Sequence, residues 1–385
     1  MERRLRENGY RISGGKLLAP VPGGKDEIRA LHKGAVKTLV DRARPALERL
    51  EDAFVRRLRP GLSLDLANID PCLIPIISKS SFDAALFRWA ALHWSVPVSA
   101  GYGRRIRYLV VDRGNDDALM GIIGLGDPIF ALRPRDQWIG WSSDQRKRAL
   151  VNVMEAYALG AVPPYTSIKG GKLVALLASA DEVRHKFNEK YAHRTTLIDG
   201  RDPQAQLVLI TTSSALGRSS VYNRIRYRDD AVGYKSLGYT AGTGDFHLSE
   251  DLYPMLLQFA SQNRKGMATH RHARWGGCGF RNKRETIQRA LEGLGFDPDS
   301  MRVHGIKREI FGVPLAENCL EVLRGEDPNP SFFSRPTSDI AQWWFDRWGG
   351  REIPDTGMRF LPETWRLWDS PELGRHSRAN GGSAS

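Results

Sequence analysis

The chain has 385 residues, a formal net charge of +13 and a pI near 9.8. Its hydrophobic content of 41% and charged content of 26% are typical of a soluble globular protein. No segment approaches the roughly 20 apolar residues that span a bilayer, and the N-terminus lacks the apolar stretch of a secretory signal. Three widely spaced cysteines argue against a disulfide framework. We therefore expect a cytoplasmic protein without membrane contact, whose charge favours a polyanionic partner such as DNA.

The N-terminal part of the chain is predicted to be helical. Residues 26–59 carry apolar side chains at three- and four-residue spacing, and Pro45 must break or kink this helix. We predict four regions along the chain. These are an N-terminal helical extension (1–81), an α/β core domain (82–262), a basic and helical C-terminal region (263–372) and a disordered Gly- and Ser-rich tail (373–385).

The core is predicted to contain a mixed sheet. Two short β-branched runs separated by RGNDDA indicate a hairpin, and a helix is predicted to begin at the Ser cap of SSDQRKRALVNVMEAYAL. The predicted strands are 106–112, 119–127, 158–165, 205–214 and 235–249, and a second helix is predicted over 171–190. The expected fold class is α/β (α+β), with a mixed central sheet and a strand–turn–helix core like that of GNAT-type acyltransferases.

The loop PPYTSIKGGKL (163–173) raises the question of phosphate binding. It is not a Walker A loop, because Thr166 and Leu173 occupy the positions of the first glycine and the metal-binding hydroxyl. In GNAT-type acyltransferases such a turn offers backbone N–H groups to a pyrophosphate. An ordinary strand-to-helix turn fits the local sequence equally well. If the loop does hold the phosphates of an acyl-CoA cofactor, the residues are Lys169, Gly170, Gly171 and Lys172.

The segment RSSVYNRIRYR (218–228) is the first candidate for nucleic-acid contact. Guanidinium groups bind phosphates bidentately and aromatic rings stack on bases. On a strand, alternate arginines would share one face. The alternative is a solvated strand face. The candidate residues are Arg218, Tyr222, Arg224, Arg226, Tyr227 and Arg228.

A second basic segment covers residues 263–308, where eleven Lys and Arg stand against four acidic residues. His270, His272 and Cys278 lie within it, but zinc needs four ligands at better-defined spacing. We therefore predict a basic surface and no metal site. Its candidate DNA contacts are Arg271, Arg274, Arg281, Lys283 and Arg284.

Tyr239, Asp245 and His247 surround the glycines of GYTAGTGDFH and are the candidate catalytic residues. Glycine-rich backbone permits close approach of a ligand, and a histidine can act as acid or base. The alternative is a β-bulge with ordinary turn residues. Trp343, Trp344 and Trp348, at helical spacing, are predicted to lie in the core.

Several collinear stretches resemble the DruA family, named for the Druantia anti-phage system, with relatives in phages and mobile elements. They are RYLVVDRGNDDALMGIIGLGDPIF, RPRDQWIGW, LGRSSVYNRIRY, SLGYTAGTGDFH, VHGIKREIFGVPLAEN and WWFDRW, and together they span roughly residues 82–348. The resemblance implies antiviral or mobile-element context and action on DNA, and other defence-system proteins as further partners.

Three functions stay open from the sequence. The first is a DNA-binding defence protein. The second is a GNAT-like acyltransferase that modifies DNA or another substrate, and the third is a non-catalytic subunit that positions DNA for partner enzymes. Whether the chain is an enzyme is not decided by its residues.

Overall fold

The computed structural model describes most of the chain. The described residues are 1–7, 9–14, 16–20, 23–98, 103–195, 200, 202–223, 225–228, 233–248, 252–262, 283–349 and 354–368.

Helices and strands alternate along the chain. The strands are β1 (Arg11–Ser13), β2 (Lys16–Leu18), β3 (Pro71–Pro75), β4 (Arg105–Asp112), β5 (Ala118–Gly126), β6 (Val153–Ala161), β7 (Leu209–Ser213), β8 (Lys235–Tyr239) and β9 (Glu309–Pro314). The first seven helices are α1 (Glu2–Glu7), α2 (Lys25–Leu47), α3 (Glu51–Val55), α4 (Phe82–Leu92), α5 (Arg133–Ile139), α6 (Ser143–Ala149) and α7 (Gly170–Leu177). The others are α8 (Asp181–Tyr191), α9 (Leu252–Gln262), α10 (Lys283–Gly293), α11 (Pro298–Met301), α12 (Cys319–Arg324), α13 (Thr337–Trp344) and α14 (Asp355–Met358), and a π-helical turn (Phe345–Gly349) follows α13.

The central sheet has seven strands in the order β3-β4-β5-β6-β7-β9-β8. Every neighbouring pair is antiparallel except β6 and β7, which run parallel from Val153 opposite Leu209 to Ala156 opposite Thr212. A parallel pair cannot be closed by a hairpin, so the chain crosses over through α7 and α8. The expected mixed α/β class is therefore confirmed.

The sheet is covered on both faces, as the alternation of side chains along β4 shows. Tyr108 and Val110 lie in one buried cluster with residues of α7 and α8, whereas Leu109 and Val111 lie in another with residues of α3 and α4. This period of two is what a strand buried on both faces requires. A third cluster joins side chains of α1, β1 and β2 to α9 and α10.

The predicted hairpin, the fourth strand and the Ser cap are confirmed. Ser142 and Gln145 form a capping box at the start of α6. Other boundaries were wrong. The helix predicted after Ser142 ends at Ala149 and the chain continues as β6, because short apolar runs such as VNVMEAYAL suit either structure. The helix predicted over 171–190 is two helices, separated where Ala180 adopts an extended backbone.

The N-terminal segment takes part in the sheet. Pro71–Pro75 pairs with β4, and Pro45 lies in the last turn of α2, which ends at Leu47. The division of the chain at residue 81 stays a prediction, although β3 is hydrogen-bonded into the sheet of the core. None of the described helices combines the length and apolar character needed to cross a membrane.

A buried carboxylate joins α3 to α4 and to the C-terminal segment. Glu51 is 3% exposed, and its two oxygens accept hydrogen bonds from the indole N–H of Trp89 (2.8 Å) and the backbone N–H groups of Leu367 (2.7 Å) and Trp368 (3.3 Å). Its removal would leave two buried donors and one partly buried donor without their acceptor, and each unsatisfied buried donor costs about 1–3 kcal/mol.

We expect Glu51→Ala to lower the free energy of unfolding by about 3 kcal/mol or more. Glu51→Gln is the matched control, because it keeps one carbonyl acceptor and should lose less. Urea denaturation followed by tryptophan fluorescence measures both. Equal stability of Glu51→Ala and the wild type would contradict this role of the carboxylate.

Candidate functional site

The loop 163–173 forms a compact turn that is anchored to the hairpin. The hydroxyl of Tyr165 donates to the buried carboxylate of Asp112 (2.9 Å), which also accepts from Asn115 and from the backbone N–H of Asp70. Burial raises the pKa of Asp112 above its usual value, although these hydrogen bonds oppose the shift. Asp112 therefore positions the loop, and it does so from within the core.

The glycines of the loop serve its own packing. Lys169 adopts a left-handed backbone (φ +65°) immediately before α7, and a Cβ on Gly170 would lie 2.6 Å from the carbonyl oxygen of Tyr165. The N–H of Gly170 donates to that carbonyl (2.8 Å), and the N–H of Lys172 donates to the carbonyl of Lys169 (2.8 Å). Two amides expected to face a phosphate are therefore already bonded within the turn, whereas a Cβ on Gly171 would meet the side chain of Val221 at 3.9 Å, an ordinary contact.

Lys172 and Arg218, which the sequence analysis assigned to different sites, line the same cavity. Its volume is about 660 Å³. We call it the basic cavity; its described lining is Lys25, Lys172, Arg218, Ser219, Ser220, Asn223, Arg347 and Trp348. Four of these eight residues are cations and none is acidic.

Four separate segments supply the cations of the basic cavity. Lys25 begins α2, Lys172 lies in the first turn of α7, Arg218 follows β7, and Arg347 lies in the π-helical turn after α13. The Nζ of Lys172 donates to the carbonyl of Val221 (3.1 Å), which holds it at the wall. Among the described residues, no carboxylate lies within ion-pair distance of Arg218 or Arg347.

Trp348 forms an aromatic wall of the basic cavity. The guanidinium carbon of Arg347 lies 5.2 Å from the centre of its ring, and the Nζ of Lys172 lies 5.5 Å from it. These are cation–π distances, and they keep both charges beside the opening. Trp344 is fully buried, as predicted for the core, whereas Trp343 and Trp348 are only partly buried.

A buried glutamate fixes the turn that carries Arg218. Glu309 of β9 is 5% exposed and accepts from the backbone N–H of Ser219 (3.3 Å) and the hydroxyl of Ser236 (2.8 Å). The hydroxyl of Ser219 in turn accepts from the N–H groups of Val221 and Tyr222. The backbone on either side of Arg218 is thus held while its side chain stays exposed.

The predicted arginine strand is wrong. Residues 221–223 form a turn, and Arg226 makes only an isolated bridge with Gly233, so the described part of this segment is not a strand of the sheet. Arg228 is ion-paired with Asp339 (2.7 Å), and Arg226 is exposed. Arg224 lies outside the described residues.

The two tyrosines of this segment pack against the core, and their stacking on bases stays a prediction. Tyr222 stacks on Tyr234 with ring centres 5.0 Å apart. Tyr227 is 6% exposed and packs edge-on against Trp343. In the second basic segment, Arg284 is exposed near the start of α10. Arg271, Arg274 and Arg281 lie outside the described residues, as does the side chain of Lys283.

The three candidate catalytic residues have different surroundings. Tyr239 is 48% exposed at the end of β8, and Asp245 is ion-paired with Arg302. His247 is buried, stacks on Tyr10 and donates from Nε2 to the carbonyl of Met301 (2.8 Å). Their catalytic role stays a prediction. Within the described residues, no three His, Cys, Asp or Glu side chains are grouped to hold a metal.

A second cavity opens where the parallel strands part. This cavity of about 290 Å³ lies beyond Ala156 and Thr212. Its walls include residues 157–159, Ser213, Ala215 and Leu216, together with Tyr222 and Arg308. The hydroxyl of Thr212 donates to the carbonyl of Ala156 (2.9 Å) at the last paired position. A β-bulge at Tyr157 interrupts the pairing of β6 with β5 at the same level. We call this the strand-parting cavity.

Sequence reasoning missed Lys25, Arg347 and Trp348 as site residues. The adjacent basic and aromatic residues of FDRW were a usable signal for the last two, but their helical spacing favoured the core. Nothing in the local sequence of Lys25 pointed to the cavity.

Buried histidines near the candidate catalytic residues give the fold a dependence on pH. Burial lowers the pKa of His32 and of His304 to about 4 and lowers that of His247. The folded protein therefore takes up these protons at a lower pH than the unfolded chain, whose histidines titrate near pH 6.5. Stability should therefore fall as the pH falls from 6.5 toward 4, by up to tenfold in the folding constant per pH unit for each histidine.

Urea midpoints between pH 7 and pH 4.5 test this expectation. His304→Asn, which cannot take up a proton, should reduce the pH dependence relative to the wild type. The same dependence in both proteins would show that His304 does not contribute.

Comparison with known proteins places the chain in a family. The family model of the Druantia protein DruA matches residues 23–325. The Druantia protein DruA of Escherichia coli (strain UMEA 4076-1) is 37% identical over 380 residues, which cover 97% of this chain and 90% of that protein. No solved structure matches. The family model covers most of the chain, and the Escherichia coli relative is 37% identical to it. The chain therefore belongs to the DruA family of the Druantia defence system.

Proposed function

We propose that the chain binds DNA as a component of anti-phage defence, and that the basic cavity holds phosphates of the DNA backbone. The observation that carries the proposal is the convergence of Lys25, Lys172, Arg218 and Arg347 on one cavity whose described lining contains no acidic residue. Like charges that repel one another need an anionic ligand, and a polyphosphate chain supplies several negative charges in a row.

The neutral groups of the basic cavity support the same ligand. The side chains of Ser219, Ser220 and Asn223 stand among the cations, and hydroxyl and amide groups are common phosphate contacts in DNA complexes. None of these contacts reads a base edge. The cavity should therefore contribute affinity and position, with little sequence preference.

The family supplies the context of this proposal. The relative is named as a Druantia protein, and phage DNA is one of the targets open to an anti-phage defence system. DNA fits both that context and the net charge of +13. Other proteins of the system are the expected partners, and the chain would position DNA for them if it does no chemistry itself.

We expect the double variant Arg218→Gln/Arg347→Gln to bind DNA at least tenfold more weakly than the wild type, because two phosphate contacts are lost. Fluorescence anisotropy with a labelled oligonucleotide at fixed salt measures the affinity. The matched control is Arg148→Gln with Arg133→Gln, which removes two exposed arginines that do not line the cavity.

The control should lose far less affinity than the cavity variant. Equal losses in both double variants would mean that only net charge matters, and the proposed site would be wrong.

A GNAT-like acyltransferase is the second candidate, and the parting of β6 and β7 is the observation that favours it. β6, the turn after it and the crossover helix α7 follow the strand–turn–helix order predicted from the sequence. The parallel pairing of β6 with β7 and the bulge at Tyr157 accompany this order. Separated strands leave backbone N–H and C=O groups without partners. The arm of an acyl-CoA contains amides, and these could form hydrogen bonds with the free backbone groups in the way that a peptide strand adds to the edge of a sheet. The strand-parting cavity would hold this arm, and Lys172 would lie near its phosphates.

We expect acetyl-CoA to raise the melting temperature if this second candidate is correct, since a ligand at one hundred times its Kd stabilises the folded state by about 2.7 kcal/mol. Inorganic pyrophosphate is the matched ligand, because it tests the phosphate contacts without the arm. A shift with acetyl-CoA alone supports the transferase. No shift at millimolar acetyl-CoA, or the same shift with pyrophosphate, contradicts it.

A further inference from the structure

A third cavity lies between α2 and α4, apart from the basic cavity. Its volume is about 380 Å³, within the range of small-molecule sites. Its walls are largely apolar and include Val36, Leu39, Phe87, Leu92 and Trp94. Apolar walls of this extent favour a ligand with a hydrocarbon or aromatic body.

Three arginines also line this cavity, and each comes from a different element. Arg42 lies on α2, Arg88 on α4 and Arg107 on β4, so we call it the three-arginine cavity. No acidic residue appears in its described lining. Within the described part of the chain, none of the three guanidinium groups lies within ion-pair distance of a carboxylate.

Arg107 is the arginine that the cavity holds most firmly. It is half-buried, and its guanidinium carbon lies 5.6 Å from the centre of the Phe87 ring. It follows Arg105 on the same face of β4, where the guanidinium carbon of Arg105 lies 4.1 Å from the ring centre of Tyr157. Partly buried cations cost free energy unless an anion accompanies them, and the described lining of this cavity offers Arg107 aromatic rings and no carboxylate.

We propose that the three-arginine cavity binds a small molecule with an aromatic or acyl body and one anionic group. The apolar walls hold the body, and the guanidinium groups of Arg107 and Arg88 bind the anion. One cavity of suitable size therefore holds apolar side chains that match the body of the ligand and guanidinium groups that match its anionic group.

The three-arginine cavity lies next to the strand-parting cavity. The three-arginine cavity and the strand-parting cavity share Trp94, Val96, Pro97, Val98 and Tyr157 in their walls. A molecule bound in one therefore lies next to the other, with the bulge residue Tyr157 between them. The proposal concerns a site separate from the basic cavity and does not depend on DNA binding.

Two fluorescent probes test the site with the full chain. 1-Anilinonaphthalene-8-sulfonate carries an aromatic body and one anion, and N-phenyl-1-naphthylamine has the same body without the charge. We expect saturable binding of the sulfonate to one site, at least tenfold tighter than binding of the neutral probe, because a charge-assisted hydrogen bond is added.

Three variants locate the binding. Arg88→Gln, at an exposed position, and Arg107→Gln should each weaken sulfonate binding about tenfold and leave the neutral probe unchanged. Leu92→Trp should fill the cavity and reduce binding of both probes. The matched control is Arg148→Gln, which removes an exposed arginine elsewhere and should change neither.

The outcomes separate cleanly. Sulfonate binding that is not saturable, that equals binding of the neutral probe, or that survives both Arg88→Gln and Arg107→Gln overturns the proposal. Urea midpoints of the variants are measured alongside, so that probe binding to a partly unfolded chain is recognised. A loss of DNA binding in the basic-cavity variants neither supports nor contradicts this site.

Discussion

The parallel pairing of β6 with β7 is the constraint on which the rest of the structure depends. A parallel pair needs a crossover connection, and here α7 and α8 provide it. Because the two strands run in the same direction, their carboxyl ends lie at the same edge of the sheet, where ligands of α/β proteins commonly bind. The turn that leads into α7 and the turn that follows β7 therefore meet. Lys172 and Arg218 are far apart in sequence and share a cavity for this reason.

The chemistry of the basic cavity follows from what surrounds its cations. Glu309 is committed to the backbone N–H of Ser219 and the hydroxyl of Ser236, and Asp339 is committed to Arg228. These carboxylates hold the framework and leave the cavity without a negative charge in its described lining. The ring of Trp348 lies beside Arg347 and carries no charge, which suits a site for an anionic ligand.

Much of the fold could be predicted from the sequence, because its signals are local. The hairpin of β4 and β5 has β-branched runs around a turn, and Ser142 caps its helix as its sequence predicts. The helix predicted through residue 159 failed, since apolar residues of β6 fit either period. The residues of the candidate site were harder to predict from the sequence than the fold. Arg226 and Arg228 read as a strand face, yet the segment forms no strand, and Tyr227 between them is buried. Lys25 and Arg347 come close to Lys172 only through tertiary packing, which no local sequence pattern predicts.

The most direct test of the account is the dependence of DNA affinity on salt, since each phosphate contact releases counterions. The logarithm of the binding constant should fall linearly with the logarithm of salt concentration in the wild type. Lys172→Gln and Arg218→Gln should each make this slope shallower by about one. Arg148→Gln should keep the slope of the wild type. The same slope in all four proteins would contradict the claim that the basic cavity holds the DNA backbone.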